Sequence, residues 1–580
     1  MISPTPTSEH RVVRHADFPT LVAALDYAAA GETGVTLYGG RGECLLALSY
    51  ANLRREALTL AARLLAAGLK PGDRIGLAAE TDVEFIGAFF ACQYAGLVPA
   101  PLPLPAPLGG RDAYVEQIAR MLRAARASAV FGPATYGAWL RDAADQTGGV
   151  SIGPSLDDLP EPGDIVLPTI GPDDLCYVQF SSGSTRFPTG VMVTHRSLMA
   201  NAVAITRDGL RVEADDRAVS WLPLYHDMGL IGFLLAPMSC QMSVDLLPTS
   251  AFVRRPLLWL DLISRNGGSI AYSPTFGYEL CARRAESGSV TGFDLSRWRV
   301  AGVGGDMVRV GPLSQFADRF AGAGFRTQAF VASYGMAEAT LAATMAPLGC
   351  GLEYERLDLG ALEGAFDIGV KSDVERSRAF VRCGPALPNH HIEVRDEAGA
   401  VMADGQVGRI FLKGPSLMSG YFGDAEGTAR VLSPDGWLET GDLGLISQGE
   451  IVPTGRAKDL ILINGRNLWP QDLEWTVEAE LDKVRSGDVA AFHVTESDDE
   501  RVVVLVQSRA GDVAAREALT TDVAALLRSR HGIDTRVHLV GPHDLPRTTS
   551  GKLSRTKARE MFLAGAFTPD NAGDPAGPGA

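Results

Sequence analysis

A chain of 580 residues is too long for a single hydrophobic core and implies at least two domains. A net charge of −16 argues against a nucleic-acid binder, which needs a surplus of Lys and Arg, and 46% apolar with 21% charged residues excludes a disordered chain. Seven scattered cysteines, with no C-x-x-C pair, exclude a disulfide framework and a thiolate zinc site, and point to the reducing cytoplasm. No basic segment followed by an apolar run opens the chain, so no signal peptide is expected. The apolar stretches 85–108 and 229–240 are interrupted by prolines or too short to span a bilayer, so no integral membrane association is expected.

In chain order, apolar spacing predicts a helix over 18–30, stopped at Gly31. A second follows the capping residue Ser49, with Leu53, Ala57, Leu60, Ala61 and Leu64 on one face and Gly68 at its end. The turn KPGD leads to a strand over 74–78, a buried helix over 83–94 and a strand over 96–101. The Pro-rich run 99–110 is expected to be a surface loop within the domain, because a helix over 114–127 and a strand over 129–131 follow at once. Helices and strands alternating at this spacing predict an α/β fold on a largely parallel sheet. Residues 140–172 read as polar loop, and a helix is predicted over 256–265. Strands over 218–222, 298–303 and 329–333 each run into a polar motif, at the strand ends where open α/β sheets hold ligands. Strands over 391–395 and 408–412, joined by DEAGAVMADGQ, predict a β-rich lobe over 383–457. A last module has helices over 472–481 and 513–530 and strands over 489–494, 502–507 and 536–539, and the tail 564–580 is expected to be disordered.

The stretch QFSSGSTRFPTG, 179–190, organises the rest. Ser181, Ser182, Gly183, Ser184 and Thr185 follow an apolar, strand-like run. Glycine lets backbone N–H groups approach a polyphosphate, and hydroxyls donate to its oxygens or complete the shell of a magnesium ion. The stretch is thus either a phosphate cradle or a Ser/Gly surface turn. No G-x-x-x-x-G-K-[ST] occurs in the chain and this loop has no lysine, so a lysine on bound phosphate must come from elsewhere. Four further stretches matter. YGMAEAT sets Tyr334 and Glu338 four residues apart, and GWLETGDLG places Asp442 between glycines; GRAKDLILINGRN gathers Arg456, Lys458, Asp459 and Arg466, and SGKLSR isolates Lys552. Each alone also has a plain reading, as a solvated helix charge, a turn former, a strand-edge charge or a surface lysine.

Together and in this order, these motifs resemble those of the adenylate-forming superfamily, which includes acyl-CoA synthetases, luciferases and the adenylation domains of peptide synthetases. The resemblance runs from about residue 18 to 563. It implies a large multi-lobed N-terminal domain, 1–457, of mixed sheets with helices and a small β lobe, followed by a small mobile α+β domain, 458–563. It also implies ATP and Mg2+ as cofactors. Ser181, Ser182, Gly183, Ser184 and Thr185 would hold the phosphates, with Thr185 and Glu338 near the metal. Tyr334 would stack on adenine beside Gly335 and Met336, Gly304, Gly305 and Asp306 would line its other side, and Asp442 with Arg456 would bind the ribose hydroxyls. Lys552 would be the missing cation, and Asp459 the hinge about which the small domain swings after adenylation. A carboxylate attacking the α-phosphorus brings anions together, and a cation over the reacting oxygens lowers that barrier.

Finer details resemble the fatty acyl-AMP ligases: Arg186 where most relatives have glycine, and the segments WLPLYHDMGL, SPTFGYELCARR and GRNLWPQDLE. That group passes its acyl chain to the phosphopantetheine thiol of a carrier protein, and carries an extra segment that restrains the small domain. Residues 348–380 fill that interval here, either in that role or as a tolerated surface insertion. His226 would gate and position the acyl carboxylate, unless it is a core histidine, and Asp227 reads as structural. The acyl pocket, which must be apolar, is expected within 228–237 and 276–280, with Met228, Gly229, Phe276 and Gly277 as candidates. Two positions depart from the superfamily pattern: Thr189 stands where a loop lysine is common, and VGGDM replaces N-G-A-E-P, with Asp306 shorter than the usual glutamate.

No G-x-D-S phosphopantetheine site is present, so the carrier is expected to act in trans. Arg528, Arg530, Arg536, Arg547, Arg555, Lys557 and Arg559 form a candidate docking face for it, or else solvated helix faces. The expected reaction is ATP-dependent activation of a medium- to long-chain fatty acid to its acyl-adenylate with release of pyrophosphate, then transfer to the carrier. The alternatives are a fatty acyl-CoA synthetase, an amino-acid-adenylating enzyme or a non-catalytic adenylate-binding protein.

Overall fold

The computed structural model describes residues 13–105, 110–148, 156, 158–180, 189–286, 292–358, 377–463, 466–496, 499–547 and 553–567. Among them the fold is α/β, with the parallel sheet that the helix–strand alternation predicts. The largest sheet has eight strands. Its six inner strands run parallel, in the order Phe330–Gly335, Val300–Val303, Ile270–Ser273, Arg217–Ser220, Ser243–Leu246 and Gly34–Tyr38. Antiparallel strands Ala342–Met345 and Cys44–Ser49 form its edges. A second, parallel sheet sets Arg74–Ala78 between Val98–Leu102 and Ala127–Phe131, and a third, antiparallel one joins Leu175–Phe180, Gly190–Thr194 and Gly420–Tyr421.

Local signals explain most of these elements. Ser49 accepts a hydrogen bond from the Asn52 N–H and starts the helix Tyr50–Ala66, and Gly96, in the left-handed region at φ 67°, ends the helix Val83–Ala95. The strand expected to start at Gly96 therefore begins two residues later, at Val98. The first prolines of the Pro-rich run lie in that buried strand rather than in a surface loop. Val98–Leu102 is an edge strand, where a residue without an N–H costs no ladder bond on its open side. The stretch expected as loop from 140 overlaps a helix, Gly137–Asp145, whose apolar face is only Leu140, Ala143 and Ala144. That face keeps a helical spacing, but over only nine residues beside a polar loop it is too short to stand out in the sequence.

The β lobe is a four-stranded antiparallel sheet of His391–Arg395, Gly408–Lys413, Leu438–Ser447 and Glu450–Arg456. Beside it, Tyr354–Asp358 pairs antiparallel with Ser377–Val381, so the interval 348–380 is built on a hairpin whose centre, 359–376, lies outside the described residues. Residues from Ile461 onward build cores of their own around Leu473, Val477, Val489 and Val504, and around Phe492, Val503 and Ala558. The expected tail is a turn over 564–567, and 568–580 lie outside the described residues. No described helix is long and apolar enough to cross a membrane, and all seven cysteines are free thiols.

Arginines of the large domain grip the helix Pro470–Glu480 of the small one. The Arg378 guanidinium, at the base of the hairpin, pairs with Asp472 and lies 4.2 Å from the Trp475 ring centroid. On the Arg309 side, the guanidinium is 5.4 Å from the same ring and donates to Glu279 Oε2 at 2.6 Å and Ser486 Oγ at 2.9 Å. The Glu478 carboxylate, 3.9 Å from Arg309, accepts from the Gly487 N–H at 2.6 Å. Burial, then Glu474, push the Glu478 carboxyl up to about 8; Arg309 and the Gly487 N–H oppose that rise, and Glu279 adds to it.

Two measurements test this architecture. In the large sheet, Asp245 is fully buried and accepts from Arg217 Nε at 2.7 Å, Arg217 Nη2 at 2.8 Å and Asn266 Nδ2 at 2.8 Å. Asp245→Ala removes the carboxylate that this partly exposed guanidinium and Asn266 share, at a cost of about 1.5–3 kcal/mol, and should lower the calorimetric midpoint by a few degrees; an unmoved midpoint would show that this pair does not hold the sheet. Glu478 bears on pH. With an ordinary value of 4.5 in the unfolded chain and about 8 when folded, its contribution to stability is complete below pH 4.5 and is lost as pH rises through about 8. Glu478→Gln should flatten the fall in melting temperature across that window, and an unchanged slope would show that Glu478 is not the group responsible.

Candidate active site

A cavity of about 620 Å³ opens at the ends of the parallel strands, under the β lobe and the small domain. Its polar walls come from several segments far apart in the sequence. The strand Phe330–Gly335 delivers Tyr334, whose hydroxyl donates to Asp442 Oδ2 at 2.8 Å, and the Arg456 Nε lies 3.3 Å from Asp442 Oδ1. Asp442 and Arg456 are cross-strand partners in the β lobe. Asp442 thus sits within a strand, not a turn, with its carboxylate shared between a phenol and a guanidinium. Burial, reinforced by Asp442, holds the Tyr334 phenol well above the usual tyrosine range.

Glu338 follows on a single 3-10 turn, and its backbone is locked from outside. The Met418 N–H donates to the Glu338 carbonyl at 2.8 Å, and the Tyr421 hydroxyl donates to Glu338 Oε1 at 3.0 Å. Thr340, two residues on, is held at φ +69°, a conformation that costs a β-branched residue about 1–3 kcal/mol, and its hydroxyl donates to the Ser416 carbonyl at 2.6 Å. Burial raises the Glu338 carboxyl above the ordinary range, and Asp227 adds to the effect. Gly335 has no alternative: a Cβ there would lie 1.8 Å from the Leu341 carbonyl oxygen.

Gly304, Gly305 and Asp306, at the end of the neighbouring strand, also line the cavity, with Gly305 at φ +76°. A Cβ on Gly304 would lie 2.8 Å from the Ser333 carbonyl oxygen. Gly335 and Met336 are also in the wall. His226 caps the short helix Asp227–Leu230, with its Nδ1 2.6 Å from Asp227 Oδ1, and both line the cavity. Ser181, Ser182, Gly183, Ser184, Thr185, Arg186 and Lys552 lie outside the described residues. The residues flanking them, Phe180 and Thr189 on one side and Leu553 on the other, all line the cavity. Asp459 lines it too, and its Oδ2 accepts from Arg555 Nη1 at 3.1 Å.

Of the four acyl-pocket candidates, Met228 lines the cavity and the other three do not. Gly229 is packed on the turn before it, where a Cβ would lie 2.2 Å from the Pro223 carbonyl oxygen. Phe276 packs edge-on against Trp221 at 5.7 Å, and a Cβ on Gly277 would lie 2.0 Å from Ser273 Oγ and 2.9 Å from the Trp221 ring. The apolar walls come instead from two π-helical turns, Ala204–Gly209 and Ile231–Leu235, which supply Ile205 and Phe233, together with Leu210, Tyr272, Leu341 and Met345. The second of these turns falls within the expected stretch 228–237, whereas nothing in the sequence pointed to the first, because an extra residue per turn leaves no mark in a hydrophobic period.

Lys458, Gln471, Tyr421 and Arg555 also line the cavity without having been singled out for it. Burial lowers the Lys458 ammonium below the usual lysine range, with Arg456 adding to it. For Arg555, burial opposes the charge but Glu474 and Asp459 more than offset it, so the guanidinium is held firmly cationic. The basic cluster of the small domain is therefore much less of a free positive face than its composition suggests. Arg528 pairs with Asp534, Arg530 with Glu480 and Arg555 with Glu474, while Arg547 and Arg559 donate to backbone carbonyls.

The AMP-binding enzyme family matches residues 44–422. A Caulobacter vibrioides protein, provisionally named an acyl-CoA synthetase, is 61% identical over 97% of this chain and 98% of its own length. The long-chain-fatty-acid–AMP ligase FadD32 of Mycolicibacterium smegmatis is 31% identical over 90% of this chain and 89% of its own. A solved structure from work on the fatty acyl-adenylate ligases of E. coli and L. pneumophila has a TM-score of 0.91 at 43% identity, covering 96% of this chain and all of that one. Given that cavity and these likenesses, the chain belongs to the AMP-binding enzymes of the adenylate-forming superfamily, within the fatty acyl-AMP ligases.

Proposed function

We propose that this enzyme uses ATP and Mg2+ to join a medium- to long-chain fatty acid to AMP, releasing pyrophosphate, and then passes the acyl group to the phosphopantetheine thiol of a carrier protein acting in trans in the cytoplasm. The observation that carries the reading is one continuous cavity with Tyr334, Asp442, Arg456 and Glu338 at its polar end and Ile205, Phe233 and Met345 at its apolar end. The polar end suits an adenylate, with Tyr334 against the base, Gly304–Asp306 opposite, and Asp442 with Arg456 on the ribose hydroxyls. The apolar end suits an alkyl chain, whose burial is worth about 0.8 kcal/mol per methylene.

Glu338 fits a magnesium ligand. Its buried carboxyl is raised by burial and by Asp227, a cost that a nearby cation would relieve, and Thr185 would complete the site. The ion, when bound, supplies positive charge to the phosphate oxygens. Lys552 would supply the remaining charge on the reacting oxygens during adenylation, and His226 would position the carboxylate. Asp459 is the pivot in this reading, and domain rotation would carry Lys552 away before the thiol enters.

A second reading, with CoA as acceptor, is raised by the name of the Caulobacter relative. The carrier reading is favoured by the likeness to fatty acyl-adenylate ligases and by the grip of Arg378 on Trp475 and Asp472, which ties the hairpin at 348–380 to the small domain. Enzyme, ATP and a fatty acid should acylate a phosphopantetheinylated carrier, read by intact-protein mass spectrometry, and give only traces of acyl-CoA when CoA is supplied instead. Rapid acyl-CoA formation would overturn the carrier assignment. Lys552→Ala should slow pyrophosphate release by about 10²–10³-fold, the scale of losing one preorganised electrostatic contact, and an unchanged rate would remove Lys552 from the reaction.

A further inference from the structure

Two elements meet at the apolar lining of the cavity. One is the π-helical turn Ala204–Gly209; the other is the edge strand Ala342–Met345, whose last residue is registered against Ser333. Gly209 and Met345 touch with nothing to spare, since a Cβ added to Gly209 would lie 2.4 Å from Met345 Sδ. Met345 is only 6% exposed and lines the cavity with Leu210 and Phe233. Tyr272 packs on Phe233 with ring centroids 6.1 Å apart and closes one side. The contact is thus a bare backbone on one wall and an unbranched thioether on the other. Methionine, with its rotatable stem, fills such a gap but is also the wall residue most easily moved.

We propose that the Met345 side chain, seated on Gly209, is the floor of the acyl pocket and sets the longest chain the enzyme accepts, an inference that rests on the fatty-acid reading above. Shortening the side chain at 345 lowers the floor. A methyl at 209 pushes the thioether inward and raises it. The two changes act from opposite walls and predict opposite shifts, which a general loosening of the fold would not produce.

The test compares wild type, Met345→Ala and Gly209→Ala on saturated fatty acids in two-carbon steps, reading kcat/KM for pyrophosphate release and the mass of each acyl-adenylate. Met345→Ala should move the optimum at least one step toward longer acids, changing the ratio of adjacent chain lengths by about 15-fold at about four-fold per buried methylene. Gly209→Ala should move it toward shorter acids, so that the two variants bracket the wild-type optimum. Gly209→Ala keeps the test decisive if Met345→Ala does not fold. Chain-length ratios that match wild type in whichever variants fold would overturn the inference alone. A wild type that adenylates no fatty acid of any length would overturn the fatty-acid reading and the inference with it.

Discussion

The buried hydrogen bond from Tyr334 to Asp442 is the contact on which the site depends. It ties the end of an inner strand of the large sheet to the β lobe, and because Asp442 faces Arg456 across its own hairpin, one carboxylate holds three segments in register. A charge-assisted bond of this kind is worth more than a neutral one, and removing either partner would strand the other in a poorly hydrated place. The strained Thr340 and the glycines at 304 and 335 belong to the same constraint. They let the backbone turn tightly enough for Tyr334 and Glu338 to face one cavity.

The second organising element is ionic and lies between domains. Arg309 and Arg378 approach Trp475, and Glu279 and Asp472 supply their counter-charge. A buried network of this kind gives little net stability against an apolar packing, but it discriminates sharply between docked and undocked arrangements, since each arginine that leaves strands a carboxylate.

Much of the fold was legible because strands and helices here obey their local periods. The strand Arg74–Ala78 lies where its apolar run predicts, and Ser49 caps the helix it precedes. What escaped notice had weak local marks: the hairpin Gly34–Tyr38 with Cys44–Ser49, whose outer strand is mostly exposed, the four-residue strand Ser243–Leu246, and the helix Gly137–Asp145. Within the site, residues at motif positions were legible as a set because five ordered motifs constrain one another. Tyr421 and Arg555 were not. Their importance comes from reaching Glu338 and Asp459 across 83 and 96 residues of sequence, which no local pattern records.

The acyl pocket marks the boundary between the two kinds of information. The sequence by itself determined the family, the order of the polar motifs, and that the phosphate stretch lacks a lysine of its own, because those features are carried by residue identity and spacing. Only the tertiary structure decided which apolar side chains face the cavity. Phe276 and Gly277 pack against Trp221, whereas Phe233, inside the expected stretch 228–237, lines the cavity with Ile205 and Met345, which lie outside it. Hydrophobicity says that a side chain is buried, but not against what, and a π-helical turn redirects a whole face without changing a single residue type.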